Sequence, residues 1–517
     1  QEKEFLPFPI SSTDNKISTQ TDGTSFYGNL TGDTTPYSQK TFENSPLNRV
    51  LFQAAPGESW KKGSNHEIGF KYELNTENDV LRFDVSLSQT LVPSLVPNGS
   101  YQANTLYKTV TTDENKQPIE EFKDKEGRVI LKRINILQED DAPLNSSGKH
   151  DTYYVYDVYG NLTYVLPPKL IEVGNYIDNL AELGYQYQYD DKNRLVEKQL
   201  PGKGREFMVY DTQDRLTLQQ DANQRTAINK GWTFFKYDKL GRVVYSGFFK
   251  NTATRSAMQS ALNNKRTPNN EERTSTVYSN NGTTIYYTNE QFPNGSLTVQ
   301  TVNYYDNYES LEMVAGSLIA AQELIGEKDT RTKGLAVATF TNVLGTTKWN
   351  KSYTFYDTEY VRPVTTHLEN YLDGFQTTSS SLDFRGKVLN TITRHKLDDI
   401  NTPEITINEV FDYYDNELLK SQTHQINGGI TERISYNNYN EINQLASKKV
   451  GSNIYSDYLQ NVDYKYNIRG WLTDINNIDA EETGTFKDLF ALRLNYDKKT
   501  KSKFRTLHNG NITEILW

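Results

Sequence analysis

The sequence predicts an all-β protein in which successive antiparallel hairpins form a continuous curled, spiral sheet, with a few short helices in insertions. The main observation is a recurring unit: an aromatic residue, Asp or Asn, two variable residues, Gly or Asn, a polar residue and a branched apolar residue. It occurs at 156–162, 237–243 and 466–472 among other places. In addition, only 35% of the 517 residues are hydrophobic although 36 are Tyr, which is typical of strands with a wet face.

Each unit has the chemistry of a tight hairpin turn. Asp or Asn at the first turn position accepts hydrogen bonds from N–H groups two and three residues on, and Gly or Asn three residues later tolerates a positive φ. We therefore predict a structural turn role, and no catalytic, metal or cofactor role, for five residue pairs. They are Asp157 and Gly160, Asp190 and Asn193, Asp238 and Gly241, Asp383 and Gly386, and Asn467 and Gly470.

The residues that flank the turns alternate with a period of two. Tyr154 and Tyr156 precede the turn at 157–160, and Leu162 and Tyr164 follow it. This alternation predicts one aromatic and aliphatic face shared by both strands of a hairpin. Because a lone hairpin is marginal in water, the units are expected to pair edge to edge and to bury this face together.

Three segments interrupt the strand pattern. Residues 177–183 predict a short helix before Gly184, and residues 253–262 place Ala257, Met258, Ala261 and Leu262 on one helical face. Residues 311–325 fit either a helix or a loop. The predicted domains are a Pro-punctuated β-rich region at 1–105 and the repeats at 106–517. The repeats carry a polar insertion at about 246–300 and are expected to be truncated at their C-terminus.

Composition excludes several classes of protein. The net charge of −10 argues against a surface that binds nucleic-acid phosphates. The sequence contains no run of 18 apolar residues, so no membrane-spanning helix is predicted. The absence of Cys excludes disulfides, thiolate metal sites and a Cys nucleophile. It also favours an exported bacterial protein, and Gln1 in place of Met is what removal of a signal peptide would leave.

The sequence does not predict an active site. None of the six His residues has a metal-binding spacing or a neighbouring nucleophile motif. The adjacent carboxylates Asp140-Asp141 and Glu120-Glu121 could be imagined as a glycosidase pair, but adjacent acids are expected by chance among 66. We therefore predict a non-enzymatic protein without a cofactor. The Tyr excess leaves carbohydrate binding open, although we favour Tyr rings that line the sheet and bond to neighbouring strands.

At these residues the chain resembles the Rhs/YD-repeat family, in the surface-protein branch of Gram-negative bacteria that use type IX secretion. The Tyr-Asp-x-x-Gly unit is that family's repeat. The segments Leu6-Pro7-Phe8, 45–50 and 55–60 resemble the uncharacterised domain that precedes the repeats in this branch. Two further segments resemble sequences that recur in this branch: Tyr164-Val165-Leu166-Pro167-Pro168 and the unit at 466–472.

The resemblance implies a spiral β-shell and three possible functions. The first is a secreted scaffold or interaction protein at the cell surface, with a protein partner at its open sheet edges and the outer-membrane type IX translocon met during export. The second is the N-terminal shell of a contact-dependent toxin that encloses a C-terminal effector. The family's Asp-Pro-x-Gly-Leu self-cleavage motif is not found in these 517 residues. The third is a carbohydrate-binding adhesin.

Overall fold

A computed structural model describes most of the chain in two compact units. The described residues are 2–9, 20–135, 148–226, 228, 230–265, 268–309, 311, 330–398, 400, 402–453, 458–479 and 488–517. Unit 1 comprises residues 1–185, 413–421 and 433–517, and unit 2 comprises 186–412 and 422–432.

The regular structure of the described residues is mainly β-strand, with a few short helices, so the predicted all-β class is confirmed. Its strands in the first half are β1 Glu2–Phe5, β2 Tyr37–Phe42, β3 Val50–Ala54, β4 Ile68–Leu74, β5 Leu81–Leu87, β6 Pro93–Ser100, β7 Tyr107–Thr112, β8 Pro118–Lys123, β9 Val129–Asn135, β10 Lys149–Tyr156, β11 Leu162–Leu166, β12 Tyr185–Tyr189, β13 Leu195–Gln199, β14 Glu206–Tyr210, β15 Leu216–Gln220, β16 Trp232–Tyr237 and β17 Val243–Phe249.

The remaining described strands are β18 Arg273–Asn280, β19 Thr283–Tyr287, β20 Leu297–Tyr305, β21 Ala336–Asn342, β22 Trp349–Tyr356, β23 Pro363–Glu369, β24 Asp373–Leu382, β25 Val388–Asp398, β26 Ile405–Tyr413, β27 Leu419–Ile426, β28 Glu432–Tyr439, β29 Leu445–Asn453, β30 Gln460–Tyr466, β31 Leu472–Ile475, β32 Leu492–Asn495 and β33 Glu514–Leu516. Of the described strands, 29 belong to one large antiparallel sheet, while β5–β6 and β18–β19 are separate hairpins.

In unit 1 the strands pair mainly with their neighbours in sequence. β1 to β4 pair in order, β4 then pairs with β7, and β7 to β11 again pair in order. The β5–β6 hairpin is therefore an excursion from the sheet. The buried core contains Phe122, Leu131, Tyr153 and Leu166, each at most 2% exposed. Near the end of the sequence, β29 to β33 also pair in order.

Unit 2 repeats this arrangement. β13 to β17 pair in order, and β17 pairs directly with β20, so residues 250–296 leave the sheet and return to it. The excursion contains a helix and the β18–β19 hairpin. β20 to β26 then pair in order. Fully buried Trp232, Tyr245, Tyr304 and Phe355 belong to its core.

The helices are short and were predicted only in part. The described ones are α1 Gln20–Thr31, α2 Pro168–Val173, α3 Leu180–Leu183, α4 Ala222–Thr226, α5 Arg255–Asn263 and a 3₁₀ turn at Thr330–Thr332. α5 confirms the helix predicted at 253–262, but only Met258 and Leu262 of its predicted face are buried. The helix predicted at 177–183 is reduced to α3. The segment predicted as a helix or loop at 311–325 lies outside the described residues except for Leu311.

The predicted sharing of faces around the first complete turn is wrong in detail. Val155 pairs with Tyr164 and Tyr153 pairs with Leu166, and these four side chains are buried. Tyr154 and Tyr156 therefore lie on the opposite face from Tyr164. The register shifts by one residue between Val155 and Tyr156, and a single inserted residue reverses the face in a structure with a period of two.

Candidate functional site

The five predicted turns share one hydrogen-bond geometry. In the turn at 157–160, the N–H of Asp157 donates to the carbonyl of Asn161, and the N–H of Gly160 donates back to the carbonyl of Asp157. Asp157 Oδ1 accepts from the N–H groups of Tyr159 and Asn161, both at 2.9 Å. The carboxylate or amide oxygen thus caps the N–H groups two and four residues on. We had expected it to cap the N–H groups two and three residues on. That expectation was wrong, because the N–H three residues on donates to a backbone carbonyl instead.

The other four turns have the same bonds. Their first residues are Asp190, Asp238, Asp383 and Asn467, and each Oδ1 accepts from the same two positions at 2.8–3.0 Å. The fourth turn residue has a positive φ in all five: Gly160 84°, Asn193 58°, Gly241 78°, Gly386 91° and Gly470 76°. This left-handed conformation is accessible to Gly and tolerated by Asn, which explains the choice of residues.

In two of the five turns the fifth position is Arg, and its side chain returns to the Asp. Arg242 Nε donates to Asp238 Oδ2 at 2.7 Å, and Arg194 Nε donates to Asp190 Oδ2 at 2.8 Å. Burial raises the pKa of Asp190, but hydrogen bonds from Arg194 and two backbone N–H groups outweigh it, so that the pKa lies below its ordinary value. The Asp190 carboxylate is therefore ionised, and both carboxylates are engaged in their turns.

The recurring turn geometry also links one hairpin to another. The guanidinium of Arg215 lies over the ring of Tyr237, 4.7 Å from its centroid, and the Tyr237 hydroxyl donates to the carbonyl of Leu216 at 2.6 Å. Burial raises the pKa of Tyr237 to about 12, which keeps the hydroxyl a donor. We call this arrangement the Tyr-Asp-Arg ladder: a turn Asp, its Arg, and the Tyr that ends a following strand.

The ladder recurs in both units. Further Tyr hydroxyls donate to a carbonyl at the start of an earlier strand: Tyr156 to Val129, Tyr210 to Leu195, Tyr305 to Val243, Tyr356 to Ala336, Tyr439 to Leu419 and Tyr496 to Leu472. Arg128, Arg194 and Arg242 lie over Tyr156, Tyr210 and Tyr305 at 4.3–5.3 Å. The side chains of the repeat thus hold the sheet together.

The paired carboxylates do not form an acid and nucleophile pair. Glu120 and Glu121 are successive residues of β8, whose side chains alternate between faces. Glu120 contacts Lys108 Nζ at 3.2 Å, and Glu121 contacts Lys123 Nζ at 2.6 Å. Asp140 and Asp141 lie outside the described residues. In the part of the chain that the structure describes, no cluster of three or more His, Asp or Glu could hold a metal ion.

One ionisable pair in unit 2 is fully buried. Lys236 Nζ donates to Glu271 Oε1 at 2.9 Å and to Asn289 Oδ1 at 2.5 Å. Burial lowers the pKa of Lys236 to about 8, against the attraction of Glu271. Glu271 also accepts from Thr288 and from the N–H groups of Glu290 and Gln291. The pair anchors the excursion at 250–296 to β16, and sequence reasoning missed it because its members are 35 residues apart.

In unit 1, the turn at 467–470 lies against segments from the other end of the sequence. Trp60 is 2% exposed, and its Nε1 donates to the carbonyl of His508 at 2.7 Å. The Trp60 and Trp471 rings meet edge to face with centroids 5.6 Å apart. The Arg469 guanidinium lies over both rings, at 5.2 and 4.4 Å, and contacts Glu114 at 3.4 Å. We call this contact the Trp60 clasp.

A histidine pair lies beside the clasp. The rings of His66 and His508 stack with centroids 3.4 Å apart, and His66 Nδ1 lies 2.9 Å from the carbonyl oxygen of Glu114. Burial, followed by the proximity of His66, lowers the pKa of His508, while Asp497 acts in the opposite direction. The N–H of His508 donates to Asn115 Oδ1 at 2.8 Å.

Sequence reasoning also missed a pocket in unit 2. It has a volume of about 650 Å³ and lies between the β18–β19 turn and one face of β21 to β24. Trp349, Phe340 and Phe375 line it together with His367 and Glu369. These residues are dispersed over a long stretch of sequence, and only the strand register brings them together.

Comparisons with known proteins give one family match and several similar structures. Residues 1–74 match the model of a domain of unknown function, DUF6443. No curated protein matches the sequence. Among described residues, no helix has the length and apolar character needed to cross a membrane.

The similar structures are much longer than this chain. The crystal structure of TcdB2-TccC3 without its hypervariable C-terminal region has a TM-score of 0.47 and 13% identity, over 89% of this chain and 23% of that one. TcdB2-TccC3 itself gives 0.43 and 13%, over 89% and 21%. A Photorhabdus luminescens Tc holotoxin pore with a mutated TccC3 gives 0.45 and 12%, over 94% and 25%. The chain thus spans at most a quarter of these proteins.

Proposed function

We propose that the chain is the shell-forming part of a non-enzymatic, exported YD-repeat protein that acts as a scaffold or interaction protein at the cell surface. The observation that carries this proposal is the Tyr-Asp-Arg ladder. It uses the Asp, Arg and Tyr of the repeats to join successive hairpins, so the polar residues that recur along the chain build a surface instead of a reaction centre.

Export follows from composition and from the type of repeat. The 517 residues contain no Cys, so the sheet is stabilised without disulfides. The proposed route is the type IX pathway, with an outer-membrane translocon as a transient partner.

Cell fractionation tests the location. Antibody against the chain is expected to find it outside the inner membrane, and proteinase K added to intact cells is expected to degrade it while leaving a cytoplasmic marker protein intact. A strain that lacks the type IX translocon should retain the protein in the periplasm. A pool confined to the cytoplasm would overturn export.

The toxin shell is the second candidate, because a sheet held by the ladder could equally enclose an effector. The genomic sequence that follows Trp517 distinguishes the two. An Asp-Pro-x-Gly-Leu motif followed by an unrelated domain would favour the toxin, and a secretion-sorting domain would favour the surface protein.

A further inference from the structure

We infer that the pocket in unit 2 binds a neutral saccharide through a cross-strand row of four side chains. The row is formed by Phe340, Lys351, Glu369 and Phe375, which lie directly opposite one another on the adjacent strands β21 to β24. Residues in direct register share a face of the sheet, so the row presents one continuous surface. The pocket of about 650 Å³ lies over this surface.

The row has an aromatic ring at each end and an ion pair in its centre. Lys351 Nζ lies 3.8 Å from Glu369 Oε2, and the two side chains are 27% and 23% exposed. Lys351 Nζ is also 5.5 Å from the centroid of the Phe340 ring. A pyranose has the matching pattern, because its C–H faces are apolar and its equatorial hydroxyls both donate and accept hydrogen bonds. The half-buried Phe375 ring suits the former, and the ion pair suits the latter, while Phe340 is 4% exposed and joins the row to the core.

A second polar side chain, His367, lies beside the row on the same face of β23 as Glu369. His367 is only 5% exposed, its Nδ1 lies 2.8 Å from Thr377 Oγ1, and its Nε2 has no hydrogen-bond partner among the described residues. Burial lowers the pKa of His367, so the imidazole is neutral. A buried ring nitrogen without a partner costs free energy unless a ligand or water supplies one. The nitrogen belongs to a residue that lines the pocket, so a ligand hydroxyl could supply the missing bond.

The charges of the pocket favour an uncharged ligand. Lys348 and Lys351 carry two positive charges, and Glu369 and Asp373 carry two negative charges, so the lining is formally neutral. Among the residues that the structure describes, no Arg lines the pocket, whereas phosphate and carboxylate ligands are commonly held by Arg. The volume lies within the range of small-ligand sites, roughly 300–1,000 Å³.

The wall of the pocket comes from the excursion at 250–296. Gly282, Thr283, Thr284 and Tyr286 line it, and Trp349 Nε1 donates to the carbonyl of Asn281 at 2.8 Å. This bond holds the β18–β19 turn against the sheet. The excursion therefore forms one wall of the pocket, and the sheet forms the other.

The test is a glycan array of neutral and anionic glycans probed with the full chain, followed by calorimetry with the best-retained neutral glycan. Glu369→Gln keeps the shape of the side chain and removes its charge, and it is expected to weaken binding at least tenfold. Thr284→Arg places a long side chain in the pocket and is expected to abolish binding. Glu404→Gln is the matched control, because Glu404 pairs with Arg394 outside the pocket.

Near-ultraviolet circular dichroism shows whether each variant is folded. If Glu369→Gln does not fold, the binding measurement on Thr284→Arg tests the inference. Retention of no neutral glycan, a preference for anionic glycans, or wild-type affinity in the folded pocket variants would overturn the inference. The outcome is independent of the scaffold proposal: export can hold without glycan binding, and glycan binding can hold without export.

Discussion

At the scale of single residues, the turn Asp contributes more than its place in a loop suggests. Asp238 caps two N–H groups and receives Arg242 Nε, although the residue is only 8% exposed. Hydrogen bonds that involve a charged group contribute about 1.5–3 kcal/mol each, and removing one partner leaves the others unsatisfied. The capping role was predictable from the sequence, because it depends on residues within one turn. The stacking of Arg on a Tyr of a later strand was not, because it depends on the register.

We predict that Asp238→Ala lowers the free energy of unfolding by about 3 kcal/mol. Asp238→Asn should cost less, since Asn467 makes the same two backbone contacts in its own turn. Urea unfolding followed by circular dichroism measures both. Lys239→Ala, an exposed position in the same turn, is the control and should change stability by about 0.5 kcal/mol or less. Equal effects of Asp238→Ala and Lys239→Ala would contradict the capping role.

The buried Lys236 supports a second prediction at this scale. Lys236→Met leaves the Glu271 carboxylate buried without its counter-ion and should destabilise the protein by about 3–5 kcal/mol. Replacing both residues, as Lys236→Met with Glu271→Gln, should cost less than the single change because no uncompensated charge remains. Thermal unfolding of the single and double variants makes the comparison. A double variant less stable than Lys236→Met would show that the pair does not behave as an ion pair.

At the scale of elements, the hairpins were predictable and the excursions were not. The turns at 157–160 and 238–241 are recognisable in the sequence by Asp and Gly at a fixed spacing. Helix α1 lies in a stretch rich in Ser, Thr and Asn, residues that favour loops, so its sequence gave no helical signal. The β18–β19 hairpin has a turn at Asn281-Gly282, yet only the direct pairing of β17 with β20 shows that it leaves the sheet. Pairing between strands that are distant in sequence produces no local sequence pattern from which it could be predicted.

The Trp60 clasp is an element-scale feature with a pH dependence. The pKa of His508 in the folded state lies below its ordinary value of 6.5, so the unfolded chain binds more protons as the pH falls through 6.5. The His508 contribution to stability is therefore present above pH 6.5 and is lost progressively below it. We predict a lower melting temperature at pH 5.5 than at pH 7.5, and a smaller difference between the two in His508→Gln.

Tryptophan fluorescence reports this melting, because Trp60 and Trp471 both lie in the clasp. His150→Gln is the matched control, since His150 belongs to the same unit and is exposed. It should keep the pH dependence of the wild type. If His508→Gln retains the full pH dependence as well, the titrating group lies elsewhere.

At the scale of the whole molecule, strands β1 and β33 differ in how their side chains protect them from pairing with another chain. In the described part of the chain, β1 and β33 each pair with one neighbour, β2 and β32 respectively. β1 carries Glu2, Lys3 and Glu4, all exposed, and charged side chains discourage an edge from pairing with another chain. β33 instead exposes Ile515 at 47%, next to Trp517 at 87%. We propose that a partner strand adds at β33.

We therefore predict that the purified chain self-associates through β33 in a concentration-dependent manner. Ile515→Lys places a charge on this edge and should shift sedimentation-velocity profiles towards the monomer over the same concentration range. Glu4→Lys changes the charge of the edge that is already protected, and should sediment like the wild type. Neither substitution changes Glu514, whose carboxylate accepts hydrogen bonds from Thr500 and Asn495 within the chain. If Ile515→Lys associates as strongly as the wild type, the proposed partner binds at another surface.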